Sequence, residues 1–166
     1  MEVVEEWRDC VGYDMYAVSN LGNIKNKKTG RILKASNREG YKGYRLRKNG
    51  VAYNTTGHRL VALAFLENPA NKPEVDHIDN DPSNNVVTNL RWSTKCENGW
   101  NKDRSKIVGA VPFRGVAKHL NGKFQAHVGF NGTSIHLGLF KTAEEASEMY
   151  EAIAKGFYGE FYNAQN

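Results

Sequence analysis

Residues 75–98 read V-D-H-I-D-N-D-P-S-N-N-V-V-T-N-L-R-W-S-T-K-C-E-N. This stretch opens on an Asp-His pair, continues through a loop of Asp, Asn, Ser and Pro, and ends at Asn98. Carboxylate, imidazole and carboxamide groups are the side chains that a hard divalent cation and a phosphodiester require. The stretch therefore points to hydrolysis of a nucleic-acid backbone.

The alternation of apolar and polar residues predicts a strand–loop–strand–helix unit. We expect strands over Pro73–His77 and Asn89–Trp92, separated by the polar loop Asp79–Thr88, whose Asp and Asn side chains can order it through Asx turns. T-K-C-E at 94–97 is a capping box that predicts a helix start, with Asn98 in its first turn. Such a unit would bring the Asp-His pair and Asn98 together.

Each polar group of this unit has its own predicted role in phosphodiester hydrolysis. The reaction needs an activated water and a neutralised phosphoryl group. His77 suits the general base, because the unperturbed pKa of histidine lies near neutrality. Asp76 and Asn98 suit the oxygen ligands of one divalent cation, Mg²⁺ or Mn²⁺. Asn89 suits an orienter that bonds the backbone across the loop and so holds His77.

The apolar run H-R-L-V-A-L-A-F-L at 58–66 predicts a buried helix that ends before Asn68-Pro69, because the residue before proline is pushed out of the α region. His58 could be a ligand. A histidine beside an apolar run is more often structural, however, and we expect it to cap the helix or to pack against the site.

The first fifty residues carry a basic surface. Their short apolar runs between Gly and Asn turns predict short strands and hairpins. From residue 25 to residue 48, ten lysines and arginines stand against one acid, Glu39, in a chain of net charge +5. An ordinary solvated surface is the alternative, but this imbalance, with tyrosines interleaved, favours contact with phosphates. The DNA contacts predicted here are Lys25, Lys27, Lys28, Arg31, Arg45 and Arg47.

Residues 112–166 predict an antiparallel meander covered by one helix. Asn121-Gly122 and Asn131-Gly132 predict two-residue turns with positive φ at both positions. They separate strands over 113–120, 123–130 and 133–140. A capping box at Thr142–Glu145 starts the helix. Alternation then predicts an apolar face with four facing pairs, Phe124–Leu139, Ala126–Leu137, Val128–Ile135 and Phe130–Thr133.

The opposite face of that sheet is predicted to contact DNA. It carries basic and polar side chains, whereas the acids gather on the helix, which suits a sheet laid in a DNA groove. An ordinary half-solvated sheet is the alternative. The contacts predicted on this face are Arg114, Lys118, Lys123, Gln125, His127 and His136, joined by Lys102 and Arg104 from a linker at 101–108.

Composition argues against several other classes of protein. Cys10 and Cys96 are the only cysteines and form no C-x-x-C pair, so we expect no structural zinc. The N-terminal M-E-V-V-E-E-W lacks the apolar core of a signal peptide. No apolar run is long enough to cross a membrane. We expect a soluble, intracellular protein with no membrane partner, and the sequence does not identify a protein partner.

Residues 75–98 resemble the HNH nuclease motif, with its ββα-metal fold, in the form found in phage and intron homing endonucleases. In that form asparagine replaces the last histidine, as Asn98 does here. Upstream, E-E-W-R-D-C-V-G-Y-D-M-Y-A-V-S-N-L-G-N-I resembles the small NUMOD-type module that precedes such nucleases, and G-H-R-L-V-A-L-A-F-L-E-N-P is similar to the helix that leads into the motif. Downstream, F-R-G-V, G-K-F-Q-A-H-V, L-G-L-F and T-A-E-E-A resemble the Apetala/ethylene-response DNA-binding domain.

These resemblances imply an α+β chain of three parts. They are a NUMOD-type β module at 1–52, a ββα-metal nuclease core at 53–104, and at 109–166 a DNA-binding domain in which a three-stranded antiparallel sheet packs on one helix. The resemblance also implies His77 as general base, Asp76 and Asn98 as ligands of a single metal ion, and Asn89 as the structural asparagine. It further implies a phage- or virus-encoded homing enzyme that acts in the host cell.

The C-terminal part departs from the plant factors of its family. Their sheets carry more arginines and a tryptophan, and Arg114 and Lys123 alone keep the basic pattern clearly. The plant target sequence is therefore not carried over. The corresponding places here are held by Ala117, His119, Asn121, His127, Gly129 and His136.

The sequence favours a metal-dependent, site-specific endonuclease acting on double-stranded DNA. The alternative is a non-catalytic, transcription-factor-like DNA-binding protein with a degenerate nuclease core. The intact set of Asp76, His77 and Asn98 favours the enzyme. An RNA-binding module is less favoured, because stacking aromatics are not clustered on the open sheet face.

Overall fold

Short antiparallel strands and three helices make up most of the described chain. The computed structural model describes residues 4–102 and 111–163. The chain divides into two compact units, Met1–Lys95 and Cys96–Asn166. This mixed α+β architecture of small antiparallel sheets confirms the predicted fold class. Within the described residues, no helix is both long and apolar enough to cross a membrane.

The first unit begins with two three-stranded antiparallel sheets. One has the order β1 (Trp7–Asp9), β2 (Tyr16–Ser19), β3 (Ile24–Asn26). The other has the order β4 (Ser36–Arg38), β5 (Tyr41–Lys48), β6 (Val51–Thr56). Asn49 and Gly50, which join β5 to β6, both have positive φ, as a tight hairpin turn requires. The hairpins predicted for this part of the chain are confirmed.

The second half of the first unit holds the predicted strand–loop–strand segment. Helix α1 (Gly57–Phe65) leads into β7 (Glu74–His77), which pairs with β8 (Leu90–Ser93) in a two-stranded sheet. Asn89 was predicted as the first residue of this second strand, but it closes a 3₁₀ turn (Val87–Asn89) and lies one residue before β8 begins. Helix α2 (Lys95–Asn101) begins where the capping-box sequence predicts.

One apolar core holds the first unit together. It joins the first two sheets, α1 and the β7–β8 pair, and its buried members are Cys10, Tyr16, Val18, Ile24, Tyr44, Leu46, Leu60, Val61, Ala62, Val75 and Leu90. The packing is continuous across the boundary predicted after residue 52. The three predicted sequence modules and their boundaries stay a prediction, but the β module and the β7–β8 pair share one interior.

The second unit is a three-stranded antiparallel sheet packed on one helix. The sheet has the order β9 (Val116–Lys118), β10 (Phe124–Phe130), β11 (Thr133–Phe140), and α3 (Ala143–Tyr158) packs on β10 through a core centred on Val128 and Tyr150. A short 3₁₀ turn (Gly159–Phe161) follows α3. The predicted capping box is present, because the Thr142 side chain accepts from the Glu145 N–H and Glu145 accepts in return from the Thr142 N–H.

Two turns of this sheet differ from each other. Asn131 and Gly132 both have positive φ, as predicted, whereas in the first turn Gly122 has positive φ and Asn121 does not. The Gly122 N–H donates to His119 O at 3.0 Å and the His119 N–H to Lys123 O at 2.8 Å, so this loop is longer than two residues. The prediction of a two-residue turn at Asn121-Gly122 was wrong, and β9 is accordingly shorter than 113–120.

The predicted strand register holds over half of the β10–β11 pair. Val128 lies opposite Ile135 and Phe130 opposite Thr133, as predicted. A bulge between Ala126 and His127 then shifts the register, because one extra residue on β11 opposes none on β10. Leu139 therefore pairs with Gln125 and is exposed, which corrects its place on the apolar face.

Helix α2 belongs to the second unit through its tryptophan. The Trp100 ring stacks on Phe130 and Tyr158, with ring centroids 5.5 and 4.7 Å apart. The Asn163 side chain also donates to Asn101 O at 3.1 Å, close to the C-terminal end of α2. The helix that follows the β7–β8 pair in sequence is thus packed with the C-terminal sheet.

Candidate active site

Strand β7 presents Asp76 and His77 from the interior of the first unit. The two residues are 4% and 7% exposed. Asp76 lies directly opposite Arg91 in the antiparallel register, and Arg91 Nε and Nη2 lie 2.9 and 2.8 Å from Asp76 Oδ2. Because adjacent strand residues point to opposite faces, His77 extends away from this ion pair. The two side chains can therefore serve separate purposes, as the sequence predicts.

The loop between β7 and β8 is ordered by its own side chains. Asp79 accepts from the Asp81 N–H, Asp81 from the Ser83 N–H and Asn84 from the Val86 N–H, each bond spanning two residues. These are the Asx turns predicted for this loop. They satisfy backbone donors that would otherwise be left to solvent, so the loop keeps a defined path between the two strands.

Asn89 fastens the two ends of this loop to each other. Its Oδ1 accepts from the Asp79 N–H at 3.1 Å, and its Nδ2 donates to Asn84 O at 2.9 Å and to Asp79 Oδ1 at 2.8 Å. Its carbonyl also accepts from the Ile78 N–H at 2.9 Å, immediately after His77. The Asn89 side chain thus bonds backbone at both ends of the loop, and its role in orienting His77 stays a prediction.

Hydrogen bonds also lower the pKa of Asp79. Burial raises the pKa of Asp79, but hydrogen bonds from Asn84, the Asp81 N–H and Asn89 outweigh it and lower the pKa below its ordinary value. The resulting carboxylate is the acceptor on which both ends of the loop depend.

A cluster of three rings surrounds His77. The His58 ring lies 5.1 Å from the His77 ring at an edge-on angle, and Tyr41 lies 5.2 Å from His58 and 5.9 Å from His77, all measured between centroids. His58 Nε2 lies 3.2 Å from Thr56 Oγ1. His58 thus packs against the site, as predicted. Burial, helped by the neighbouring His77 and Arg59, lowers the pKa of His58 from its ordinary 6.5 to about 4.

This lowered pKa predicts a pH-dependent stability. The folded protein resists protonating His58, whereas the unfolded chain takes up that proton near pH 6.5. The contribution of His58 to the free energy of unfolding is therefore fully present above pH 6.5 and is lost as the pH falls towards 4. The loss is on the order of 3 kcal/mol. We expect urea unfolding to show a smaller loss for His58→Gln than for the unchanged protein over this range. A His119→Gln variant with an equally reduced loss would contradict the assignment to His58.

Two site residues escape the sequence reasoning. Asn85 is 2% exposed, and its Oδ1 lies 3.1 Å from His77 Nε2. Arg91 forms the ion pair with Asp76. The antiparallel pairing of β7 with β8, counted back from Trp92, could have placed Arg91 opposite Asp76. Nothing in the local pattern distinguishes Asn85 from Asn84.

Asn98, the second predicted metal ligand, lies on α2. That helix belongs almost entirely to the second unit, and Asp76 and His77 belong to the first. The joint action of Asn98 with Asp76 stays a prediction.

The predicted DNA contacts of the first unit lie in and around its two three-stranded sheets. Arg45 and Arg47 are exposed on β5, on the same side of the strand as Tyr41, which touches His77. Lys28 and Arg31 are exposed. Lys25 lies over the Trp7 ring at 3.9 Å, and Lys27 pairs with Asp9 at 2.9 Å, so these two cations already have protein partners. Their contact with DNA stays a prediction.

One predicted DNA contact of the second unit is wrong. Arg114 is 5% exposed, and its guanidinium lies 5.5 Å from the centre of the Tyr158 ring and 6.0 Å from that of Tyr150. It is enclosed beside α3 rather than placed on the open face, so it cannot reach a phosphate. The error arises because β9 begins only at Val116 and strand alternation does not extend back to residue 114.

The other predicted contacts of the second unit remain available. Lys102, Lys118 and Lys123 are exposed, and Gln125 and His127 are half-buried on β10. His136 is exposed and lies opposite His127, with ring centroids 4.8 Å apart. Arg104 and most of the predicted linker lie outside the described residues.

Two family models match the first part of the chain. Residues 5–47 match the NUMOD4 motif, and residues 57–100 match an HNH endonuclease model. The second match contains β7, the ordered loop and β8, and so contains Asp76, His77 and Asn89.

Curated relatives and a solved structure extend these matches. The chain is 37% identical over 120 residues to DNA endonuclease I-HmuI of Bacillus phage SP01, covering 71% of this chain and 69% of the relative. Two uncharacterized HNH endonucleases of Acanthamoeba polyphaga mimivirus, L247 and L245, are 43% and 38% identical over 57% and 58% of this chain, but it spans only 25% and 29% of their length. A solved structure showing DNA binding and cleavage by the HNH homing endonuclease I-HmuI superposes with a TM-score of 0.55 at 26% identity, covering 96% of this chain and 94% of that one.

Proposed function

Because this chain belongs to the HNH endonuclease family, we propose that it is a metal-dependent, site-specific endonuclease that hydrolyses one phosphodiester of DNA with His77 as general base. The observation that carries the proposal is the setting of His77. The residue ends a buried strand beside an ion-paired carboxylate, and a loop tied to itself by Asn89 begins immediately after it. A homing role is part of the proposal, in keeping with the relative I-HmuI.

His77 takes the proton of the attacking water in this proposal. A general base must be held within hydrogen-bonding reach of its water, and general-base catalysis of this kind contributes about 10² to 10⁴ in rate. Asn89 accepts from the Ile78 N–H through its carbonyl and from the Asp79 N–H through its side chain. These two bonds resist displacement of the strand end that carries His77. Asn89 is thus a positioning residue in this proposal, and His77 is the residue that meets the reacting water.

The donor chemistry fits one hard divalent cation. Asp76 supplies a buried carboxylate whose Oδ2 is bonded to Arg91, and Asn98 supplies a carboxamide oxygen. Among the residues the structure describes, no group of three or more His, Cys, Asp or Glu side chains could hold a metal, so substrate and water oxygens would complete the shell. When bound, Mg²⁺ or Mn²⁺ would neutralise charge on the phosphoryl oxygens and the leaving oxygen. We propose no zinc site.

The strand face next to His77 supports double-stranded DNA as the substrate. Tyr41 at the start of β5 touches His77, and Arg45 and Arg47 follow on the same face, roughly 13 and 20 Å further along at the usual strand rise. Cations at this spacing can contact successive phosphates leading away from the base. The face therefore carries a row of cations that leads towards the proposed catalytic residue.

We also propose that the β9–β11 sheet with α3 is an Apetala/ethylene-response-type DNA-binding domain. The three-stranded sheet packed on one capped helix agrees with that family's architecture. Its open face would carry the contacts retained above, without Arg114. The relatives come from a phage and a giant virus, which supports a phage- or virus-encoded enzyme acting in a host cell.

A plasmid assay tests the proposed activity. Supercoiled DNA that carries the target region is incubated with Mg²⁺, with Mn²⁺ or with chelator, and nicked and linear products are separated. We expect cleavage with a divalent cation and none with chelator. Binding without cleavage under every condition would instead support the non-catalytic DNA-binding alternative. A library of random targets, selected by cleavage, supplies the site if it is not known.

The salt dependence of DNA binding tests the proposed C-terminal contacts. If about six phosphates are contacted, raising the salt from about 50 to 200 mM costs on the order of 10³ in affinity. We expect Lys118→Gln and Lys123→Gln each to reduce the slope of log affinity against log salt by about 1. Lys155→Gln is the control, because Lys155 lies on α3 beside Glu151 and Tyr162. Equal slopes in all three variants would count against this open face.

A further inference from the structure

Asn85 lies in the β7–β8 loop with its side chain turned inwards. Its Oδ1 lies 3.1 Å from His77 Nε2, and both residues are buried. With the carboxamide oxygen facing Nε2, this contact is a hydrogen bond when the imidazole donates through Nε2–H, because a carboxamide oxygen only accepts. A neutral imidazole has one N–H, which leaves the lone pair on Nδ1.

We propose that Asn85 is a positioning residue that fixes His77 in the Nε2–H tautomer, with Nδ1 as the atom that accepts the proton from water. This inference rests on the proposed role of His77 as general base. It adds that His77 Nδ1 is the atom that accepts the proton and that Asn85 is the residue that fixes this tautomer. Asn89 holds the strand end, whereas Asn85 fixes the rotation and the tautomer of the ring.

The packing around Asn85 leaves its side chain little freedom. A Cβ at Gly22 would lie 2.7 Å from Asn85 Cβ, and a Cβ at Gly57 would lie 2.5 Å from Asn85 Nδ2. The Val87 N–H also donates to Asn20 O at 2.8 Å, which ties the same loop to the β2–β3 turn. Residues 20–22 belong to the part that matches the NUMOD4 motif. The NUMOD4-matching part therefore packs against Asn85, the residue proposed to position His77.

The hydrogen bonding of Asn85 is not what folding alone would select. In the part of the chain that the structure describes, its buried Nδ2 has no hydrogen-bond partner. Burying an unpaired amide donor opposes folding, whereas an apolar side chain of similar size would not. The one side-chain bond that the residue does make is the bond to His77. Because Oδ1 is bonded to His77 while Nδ2 is buried without a partner, Asn85 is better explained by a role at the imidazole than by a role in stability.

Imidazole nitrogen NMR tests the tautomer directly. Metal-free protein labelled with ¹⁵N-histidine, at a mildly alkaline pH where imidazoles are neutral, should show His77 as the Nε2–H tautomer. We expect Asn85→Leu to lose that single tautomer and Asn85→Asp to keep it, because a carboxylate is also an acceptor. An Nδ1–H tautomer in the unchanged protein, or an unaltered spectrum in Asn85→Leu, would overturn the proposal. This readout does not depend on cleavage, so it stays informative if His77 is not the base.

Single-turnover cleavage tests the consequence. We expect Asn85→Leu to lower the rate by about 10- to 100-fold at saturating enzyme, with the Kd for DNA and the thermal midpoint little changed, and Asn85→Asp to restore part of the rate. A rate in Asn85→Leu equal to that of the unchanged protein would overturn the proposal. So would an Asn85→Asp rate as low as the leucine variant's. If His77→Ala also cleaves normally, it is the proposed function that has failed.

A remote pair of glycine variants provides a matched control. Gly22 and Gly12 have nearly equal positive φ, 84° and 81°. A Cβ at Gly22 collides with Asn85, whereas the nearest atom to a Cβ at Gly12 is Lys48 Nζ at 3.8 Å. We therefore expect Gly22→Ala to lower the cleavage rate and disturb the His77 spectrum, and Gly12→Ala to share only the backbone strain. Equal rates and spectra in the two variants would contradict the proposal that the close approach of Gly22 to Asn85 helps to position the Asn85 side chain.

Discussion

Cleavage should fall by about 10² to 10⁴-fold when His77 is replaced with alanine, while the Kd for target DNA stays within a few-fold of its value in the unchanged protein. The expected loss is in the rate of the chemical step, because His77 lies at the buried end of β7 and the exposed cations proposed to hold DNA lie on other strands. Single-turnover rates at saturating enzyme separate that step from binding.

The control for this variant is His119→Ala. His119 lies in the turn between β9 and β10, where its Nδ1 accepts from the Asn121 N–H at 3.4 Å. It has no proposed catalytic role, so its loss should leave the rate unchanged. A His77→Ala protein that melts normally and still cleaves at the original rate would remove His77 from the mechanism. An equal drop in both variants would point to general loss of structure.

Replacement of Arg91 with methionine should destabilise the protein by about 3–5 kcal/mol. Arg91 and Asp76 are 13% and 5% exposed in their side chains, and two guanidinium nitrogens lie within 2.9 Å of one carboxylate oxygen. Removing the guanidinium leaves a buried carboxylate without its main counter-charge. Denaturant unfolding at neutral pH measures the loss.

Two further variants separate this charge effect from lost packing. The double variant Asp76→Asn with Arg91→Met removes both charges, and we expect it to recover much of the stability but not the cleavage, because Asp76 is also a proposed metal ligand. Lys27→Met breaks the exposed pair with Asp9, also at 2.9 Å, and should cost no more than about 1 kcal/mol. A loss for Arg91→Met as small as that for Lys27→Met would show that the buried pair contributes little.

The parts of this fold that follow from local sequence could be predicted. The Asx turns at Asp79 and Asp81, the capping box at Thr142 and the positive φ values at Asn131-Gly132 each depend on residues within a few positions of one another. Resemblance to a known motif supplied the residues of the candidate site. Both kinds of information are present in the sequence itself.

The features that escaped prediction depend on distant contacts. The bulge after Ala126 is a feature of the β10–β11 pairing, and the burial of Arg114 beside Tyr158 involves α3; alternation along one strand encodes neither. Asn85 was missed for the same reason. Its proposed role at His77 becomes visible only in the folded chain, where Gly22 and Gly57, both distant from it in sequence, lie against its side chain.

The stacking of Trp100 between Phe130 and Tyr158 constrains how such enzymes can be recombined. A chimera joined in the segment after α2 would give the helix a foreign C-terminal domain and remove the two rings on which the tryptophan stacks. The same helix carries Asn98, so replacing the C-terminal sheet would also change the packing of the helix that holds a proposed ligand of the cation. Chimeras should therefore fold more often when the donor fragment begins before Lys95 and brings its own helix with it.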